Sequence, residues 1–290
     1  MTKQLVAPFP YYGSKRRYAK QIWECLGDPQ AYVEPFCGSA AVLLNRPESS
    51  HPRRRELIND LNIWVTNFFR SIKAEPESVA NYMSWPSNEL DLAARQKKLS
   101  DNAGAVLRDN PDLFDVELAG VWAWGMSCSI SGQYPNGRMG AVPFCKNYRG
   151  ANQRHIDKLD WCNKLKTRLE HVQVVCGDWE RSLSHSLHMH GSHSVGIFID
   201  PPYDSNNSDK TLYIENNASK AVASWAIEHG SDYRYRIILC GFELEHEMPS
   251  DWNWVVLGQV GRKTTQKNKS ARNNKEGMWL SPHCLSDESH

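Results

Sequence analysis

The chain lacks most of the features that place a protein at first sight. Its 290 residues carry a net charge of only +1. It is no polycation, and any nucleic-acid surface must come from local clustering of Lys and Arg. No apolar run approaches the roughly 18 residues needed to cross a bilayer, so no membrane association is expected. The opening stretch MTKQLVAPFPYYGSK has no charged-then-apolar signal pattern. Eight cysteines are scattered and none forms a C-x-x-C pair. Reduced thiols and a cytoplasmic setting are the expectation. The full G-x-G-x-x-G fingerprint is missing, as are internal repeats and low-complexity blocks. HSLHMHGSH gathers His185, His188, His190 and His193, but without the carboxylate and spacing cues of a defined zinc site; no metal is expected.

What is present is ordinary in amount and unusual in placement. Hydrophobic residues make up 40% and charged residues 23%, values suited to one large or two small domains with ample core. Eleven tryptophans are many for this length. Some belong to a core, and a base-stacking surface would also use them. Ser14 reads as an N-cap for a helix on Tyr18, Ala19, Ile22, Trp23 and Leu26, closed by Gly27. AYVEPFCGSAAVLLN reads as strand, glycine turn and helix. RRRELINDLN reads as a strand ending at Asn59-Asp60, and its Arg53-Arg54-Arg55 as a solvated lead-in. HVQVVCGDW, VGIFIDPPYD and YRIILCGFE read as further strands. Ser219 to His229 reads as a helix stopped by Gly230. WNWVVLGQV and GMWLS read as a closing hairpin.

Strands alternating with helices imply an α/β fold, doubly wound on a mostly parallel, Rossmann-like sheet with an antiparallel hairpin at one edge. Residues 64–155 break the alternation. They are helical and polar, then turn-rich, and are expected to form an inserted, mainly helical domain within a larger one made of 1–63 and 156–290. Trp122 and Trp124 are two apart, so on a strand they would share a face, more often a core face than a ligand face.

Four strand ends carry acids: Glu34, Asp60, Asp178 and Asp200. Parallel strands place their carboxyl ends on one edge, where ligands of open α/β sheets bind. In EPFCGSAAV, Gly38 and Ser39 let the chain turn sharply into a helix. Asp60 follows about 20 residues later, the spacing of an acid that binds ribose hydroxyls. Asp60 also suits a helix N-cap for the segment starting at Leu61. Together the turn and the acid favour an adenosyl or nucleotide cofactor. In IDPPYD the two prolines stop a strand, because neither donates a backbone hydrogen bond. They hold a carboxylate and an aromatic ring in a set geometry where the chain leaves the sheet.

IDPPYD after one strand, EPFCGSAAV after an earlier one and PYYGSK near the amino end resemble the Dam-type N6-adenine DNA methyltransferases, in the same order along the chain. INDLN, GDW and NNKEGMWLS fall where that family keeps related segments. GQYPNGRMGAVPFCKNY resembles its DNA-contacting hairpin. The likeness covers most of the chain except about 64–120. Gly13-Ser14 stands where Gly-Gly is usual, and Cys37 where a small residue is common.

The resemblance implies a site-specific enzyme that uses S-adenosylmethionine to methylate N6 of a flipped-out adenine in double-stranded DNA. Tyr12, Gly13 and Lys15 would line the methionine end of the cofactor. Glu34, Phe36, Gly38 and Ser39 fall on the glycine-turn motif. Asp60 would hold the ribose hydroxyls, Asp178 would accept from the adenine amino group, and Trp179 would pack beside it. Asp200, Pro201, Pro202 and Tyr203 would form the catalytic rim, with Asp200 also bordering the cofactor. Tyr134, Asn136 and Arg138 lie in a Pro-Asn-Gly turn whose tip can reach base edges. Lys263, Lys267, Lys269 and Arg272 lie in an acid-free stretch suited to phosphates or to a solvated loop. Cytosine-N4 or RNA methylation, or a non-catalytic DNA-binding relative, are the competing readings, and serine is the more common residue at the Asp200 position in cytosine-N4 enzymes. A partner restriction endonuclease and a stand-alone modifier are both compatible with one chain.

Overall fold

The short apolar runs pair into one seven-stranded sheet. We describe it from a computed structural model over residues 5–51, 54–85, 88–99, 101–128, 134–135, 150–153, 155–188, 193–202, 218–243, 245–259 and 275–285. In chain order the elements are α1 (Ala19–Leu26), β1 (Ala31–Glu34), α2 (Ala41–Leu44), β2 (Arg55–Asp60), α3 (Ile63–Ala74), α4 (Pro76–Met83), α5 (Glu89–Lys98), α6 (Asp101–Asp109) and α7 (Val116–Cys128). They continue as α8 (Lys158–Leu169), β3 (Val172–Cys176), α9 (Trp179–His188), β4 (Val195–Ile199), α10 (Ala218–His229), β5 (Tyr235–Phe242), β6 (Asn253–Gln259) and β7 (Lys275–Leu280).

The strand order is β3-β2-β1-β4-β5-β7-β6. The pairs β1–β4, β2–β3 and β4–β5 are parallel, and β7 runs antiparallel to both β5 and β6. The expected mostly parallel sheet with a closing hairpin is therefore what forms. Order reverses between β1 and β4, with Ala31 beside Val195 and Val33 beside Ile197. β4 is buried along its whole length. A strand covered on both faces has to be apolar throughout rather than alternating, which is why VGIFI reads as an unbroken run. Each of its large side chains contributes about 1.5–3 kcal/mol on burial.

By contact the chain divides into two compact units. One comprises Met1–Ala19, Cys37–Arg46 and Glu56–Ser182; the other comprises Lys20–Phe36, Pro47–Arg55 and Leu183–His290.

In the first unit α3 packs on α7, α8 and β3. α3 starts at Asn62, whose side chain accepts from Trp64 N. Phe9 sits edge-on to Phe68 and Trp122 at centroid distances of 5.3 and 4.5 Å. Trp122 and Trp124 lie on a helix rather than a strand. Both are buried because α7 is buried on every side from Ala119 to Cys128, so no solvent face exists to separate them. Glu56 on β2 is held by Arg46 at 3.0 Å and by two nitrogens of Arg168 at 2.6 and 2.8 Å.

In the second unit α1 buries Ile22, Trp23 and Leu26. It ends at Gly27, whose φ of +65° and N–H bond to Trp23 O at 2.7 Å close the helix as the sequence implies. The start differs from expectation. Ser14 precedes a 3₁₀ turn over Lys15–Tyr18, its side chain makes no cap bond, and the α-helix begins only at Ala19. α10 packs its Val222, Ala223 and Ala226 inward and contacts β5.

Candidate active site

In the first unit the glycine turn and the end of β2 are bonded into one piece. Cys37 N donates to Asn59 O at 2.9 Å, and Gly38 N donates to Asp60 Oδ2 at 2.8 Å. The other oxygen, Oδ1, accepts Asn62 N at 2.9 Å. Asp60 is therefore not the cap of α3, since Asn62 fills that role; it is a buried acceptor clamped to the turn. Burial pushes its carboxyl up to about 6, with the Asn62 and Gly38 N–H groups opposing the rise. Each oxygen of a carboxylate has two acceptor sites, so a hydroxyl can still bond to Asp60 beside the backbone donors.

The turn itself is strained. Gly38 has φ +47° and Ala40 has φ +51°. A non-glycine residue in the left-handed region costs about 1–2 kcal/mol, and such strain concentrates at ligand clamps. Alternating backbone conformations of this kind direct N–H groups at an anion or an oxygen. Ser39 is buried in the same turn.

Tyr11 is a residue the sequence reading passed over in favour of Tyr12. Its ring lies against Gly38, where an added Cβ would meet it at 2.4 Å. Burial, and next the Asp60 carboxylate, raise its phenol well above the usual range. The doubled Tyr11-Tyr12 was the available signal, but nothing in it says which ring goes inward. Tyr12 is 65% exposed. Gly13 has φ +75° and open space where a Cβ would stand. Lys15 is 3% exposed and its Nζ curls back to donate to Gly13 O at 2.9 Å.

At the end of β3, Gly177 N donates to Asp60 O at 3.2 Å, and Asn59 Nδ2 donates to Gly177 O at 3.0 Å. The ends of β2 and β3 are thus laced together. Asp178 Oδ1 accepts Glu180 N at 2.9 Å, capping α9, and Trp179 is buried.

The second unit holds the switch point of the sheet, where β1 and β4 end side by side. Glu34 is 2% exposed and its Oε2 accepts from Tyr32 Oη at 3.0 Å. Phe36 is half-buried. Asp200 is the first residue past β4 and is half-buried; Pro201 is buried and Pro202 half-buried. Tyr203 lies outside the described residues, as do Asn136, Arg138, Lys263, Lys267, Lys269 and Arg272. Tyr134 is described, in the first unit. It is buried, with its ring against Gly125 and its carbonyl accepting from Trp122 Nε1 at 3.2 Å. Its side chain is part of the helical packing.

Among the described residues no group of His, Cys, Asp and Glu is placed to hold a metal ion, and no helix is long and apolar enough to cross a membrane. In open, mostly parallel α/β sheets ligands bind at the carboxyl edge where strand order reverses, and Glu34 and Asp200 stand at the ends of the two strands that meet there. The chain belongs to the D12 class N6 adenine-specific DNA methyltransferases, whose family model matches residues 11–224. That stretch includes the glycine turn, Asp60, Asp178 and Asp200–Tyr203. Among curated proteins none matches the chain.

Proposed function

We propose that this protein transfers a methyl group from S-adenosylmethionine to N6 of an adenine turned out of duplex DNA, at a specific sequence. The family match supports DNA adenine methylation. The observation that carries the finer reading is Asp200-Pro201-Pro202 at the carboxyl end of a fully buried parallel strand, at the switch point of the sheet.

When bound, S-adenosylmethionine supplies a methyl carbon made electrophilic by a sulfonium. Tyr12, Gly13 and Lys15 would hold its methionine end, Glu34, Phe36, Gly38 and Ser39 its approach to the glycine turn, Asp60 its ribose hydroxyls, and Asp178 with Trp179 its adenine. Asp60 suits that role by its chemistry: a buried carboxylate, fixed by two backbone donors, accepts hydroxyls without having to be reoriented.

The amino nitrogen of adenine is a poor nucleophile because its lone pair is delocalised into the ring. Two acceptors, one for each N–H, pull that nitrogen toward tetrahedral geometry and localise the pair. The Asp200 carboxylate is one acceptor and the Pro201 carbonyl is the other. Proline has no N–H, so the rim stays acceptor-only. Tyr203 provides a face for the target ring. Turning the base out costs a few kcal/mol, and the rate gain then rests on orientation and fixed dipoles. Asn136 and Arg138 would read base edges, with Tyr134 supporting the start of that turn. Lys263, Lys267, Lys269 and Arg272 would neutralise phosphates.

The deciding experiment supplies methyl-labelled S-adenosylmethionine and mixed-sequence duplex DNA, then digests the product to nucleosides. Label in N6-methyl-2′-deoxyadenosine is expected. Label in 4-methylcytosine, or only in added RNA, would sink the reading. Asp200→Ala is expected to bind cofactor and to transfer no methyl group.

A further inference from the structure

A buried polar cluster lies at the carboxyl end of β5; its Glu245 and His246 fall beyond the family match and its Ser219 within it. Glu245 turns back onto the strand it follows. Its Oε2 accepts Phe242 N at 3.0 Å, and its Oε1 accepts the Ser219 hydroxyl at 2.7 Å. Ser219 Oγ also lies 3.3 Å from His246 Nε2. A serine hydroxyl has one proton to give. Since that proton goes to Glu245, Ser219 accepts from His246, and the imidazole Nε2 carries its proton. A Cβ on Gly241 would stand 3.1 Å from Glu245 Oε2 and 3.6 Å from His246 Nε2. Carboxylate and ring therefore rest on the bare backbone of Gly241.

The location gives the cluster its meaning. β4 and β5 are parallel, with Ile199 beside Leu239. That pair is the last of the ladder; Gly241 lies two residues further along β5, and Pro201 two residues past the end of β4. Ser219 is the second residue of α10, the next described element after the chain leaves Asp200-Pro201-Pro202. Glu245 thus joins the end of β5, the strand beside β4, to the start of α10. Enclosing a carboxyl group costs free energy unless it is hydrogen-bonded, and the Glu245 side chain is 8% exposed. The apolar core around Ile237, Ile238 and Leu239 needs no such group.

We propose that Glu245, with Ser219 and His246, is a positioning network that holds the Asp200–Pro201 acceptor pair in register for methyl transfer. This rests on the reading of Asp200 as catalytic. None of the three touches the reacting atoms in this account; each acts through the backbone beside them.

The test uses the full chain and measures two quantities per variant: the single-turnover methyl-transfer rate on saturating duplex, and the affinity for S-adenosylmethionine alone. Glu245→Ala is expected to lose about 100-fold in rate, the scale of a small misplacement of reacting groups, with cofactor affinity unchanged. Glu245→Gln is expected to recover most of that rate. Its amide oxygen accepts from Phe242 N while its nitrogen donates to Ser219 Oγ. Ser219→Ala removes a single hydroxyl, keeps the fold testable if Glu245→Ala is unstable, and is expected to lose about 10-fold in rate, one hydrogen bond's worth of positioning. Unchanged rates in Glu245→Ala and Ser219→Ala, or equal losses of rate and cofactor affinity, would overturn the inference while wild-type transfer keeps the functional reading intact. Absence of methyl transfer in the wild type would instead remove that reading, and the inference with it.

Discussion

The carboxylate of Asp60 accepts the backbone N–H of Gly38 across 2.8 Å. The last residue of one strand thereby pins the turn that follows another. Burial holds the Asp60 carboxyl near 6, above its ordinary 3.8. The folded protein then binds this proton more tightly than the unfolded chain. The associated stability is fully present below about pH 4 and is lost as pH rises through 6. A shift of this size corresponds to roughly 3 kcal/mol. Unfolding measured from pH 4 to pH 7 should show the stability of wild type falling, relative to Asp60→Asn, by that order. Parallel pH curves for the two proteins would contradict it. Cofactor affinity should move the opposite way, rising through pH 6 as Asp60 becomes the charged, stronger acceptor.

Two glycines of the proposed cofactor segments, one in each, should respond differently to the same substitution. Gly38→Ala sets a methyl group against the Tyr11 ring, 2.4 Å away, at a left-handed φ. It should lose about 2–4 kcal/mol through overpacking and backbone strain together. Gly13→Ala meets open space, so only the left-handed strain of about 1–2 kcal/mol applies. Denaturant unfolding of the two variants separates them, and equal losses would refute the role given to Tyr11.

Glu56→Gln tests the buried ion cluster of the first unit. The side chains of Arg46 and Glu56 are 1% and 2% exposed. Removing the charge takes away the buried anion that both Arg46 and Arg168 bond and should cost about 3–5 kcal/mol. Urea midpoints report it directly. A change below about 1 kcal/mol, the worth of an exposed pair, would mean that water reaches the pair.

The carbonyls of Tyr134 and Pro135 accept from Trp122 Nε1 and Gln96 Nε2 respectively. These two residues immediately precede Asn136 and Arg138, the proposed base readers. Trp122→Phe keeps the aromatic packing and removes the donor. It should raise KM for duplex DNA several-fold and weaken discrimination between cognate and noncognate sites, with kcat and cofactor affinity unchanged. Steady-state kinetics on matched duplexes will decide; an effect confined to kcat would place Trp122 elsewhere in the mechanism.

Much of the architecture was readable in advance because the signals are local. A strand buried on both faces leaves an apolar run, so β4 is visible as VGIFI. A glycine closing a helix is visible at Gly27, whose left-handed φ few other residues adopt. Ser14 misled because its type suits a cap, whereas the chain there winds into a 3₁₀ turn that makes no use of the hydroxyl. Trp122 and Trp124, two apart, suited one face of a strand; on a helix they point to nearly opposite sides, and both are buried only because α7 is covered all round.

The chemistry-bearing residue types and their order along the chain belong to the sequence. Acids end four strands, a glycine turn follows the first, and Asp-Pro-Pro-Tyr closes the fourth, because each depends on near neighbours and on backbone rules that act over a few residues. Which groups meet was decided by tertiary structure alone. Glu56 finds Arg168 112 positions away, Ser219 finds Glu245 26 positions away, and Tyr11 rather than Tyr12 turns under Gly38. Such pairings follow from sheet order and burial, which no local spacing encodes.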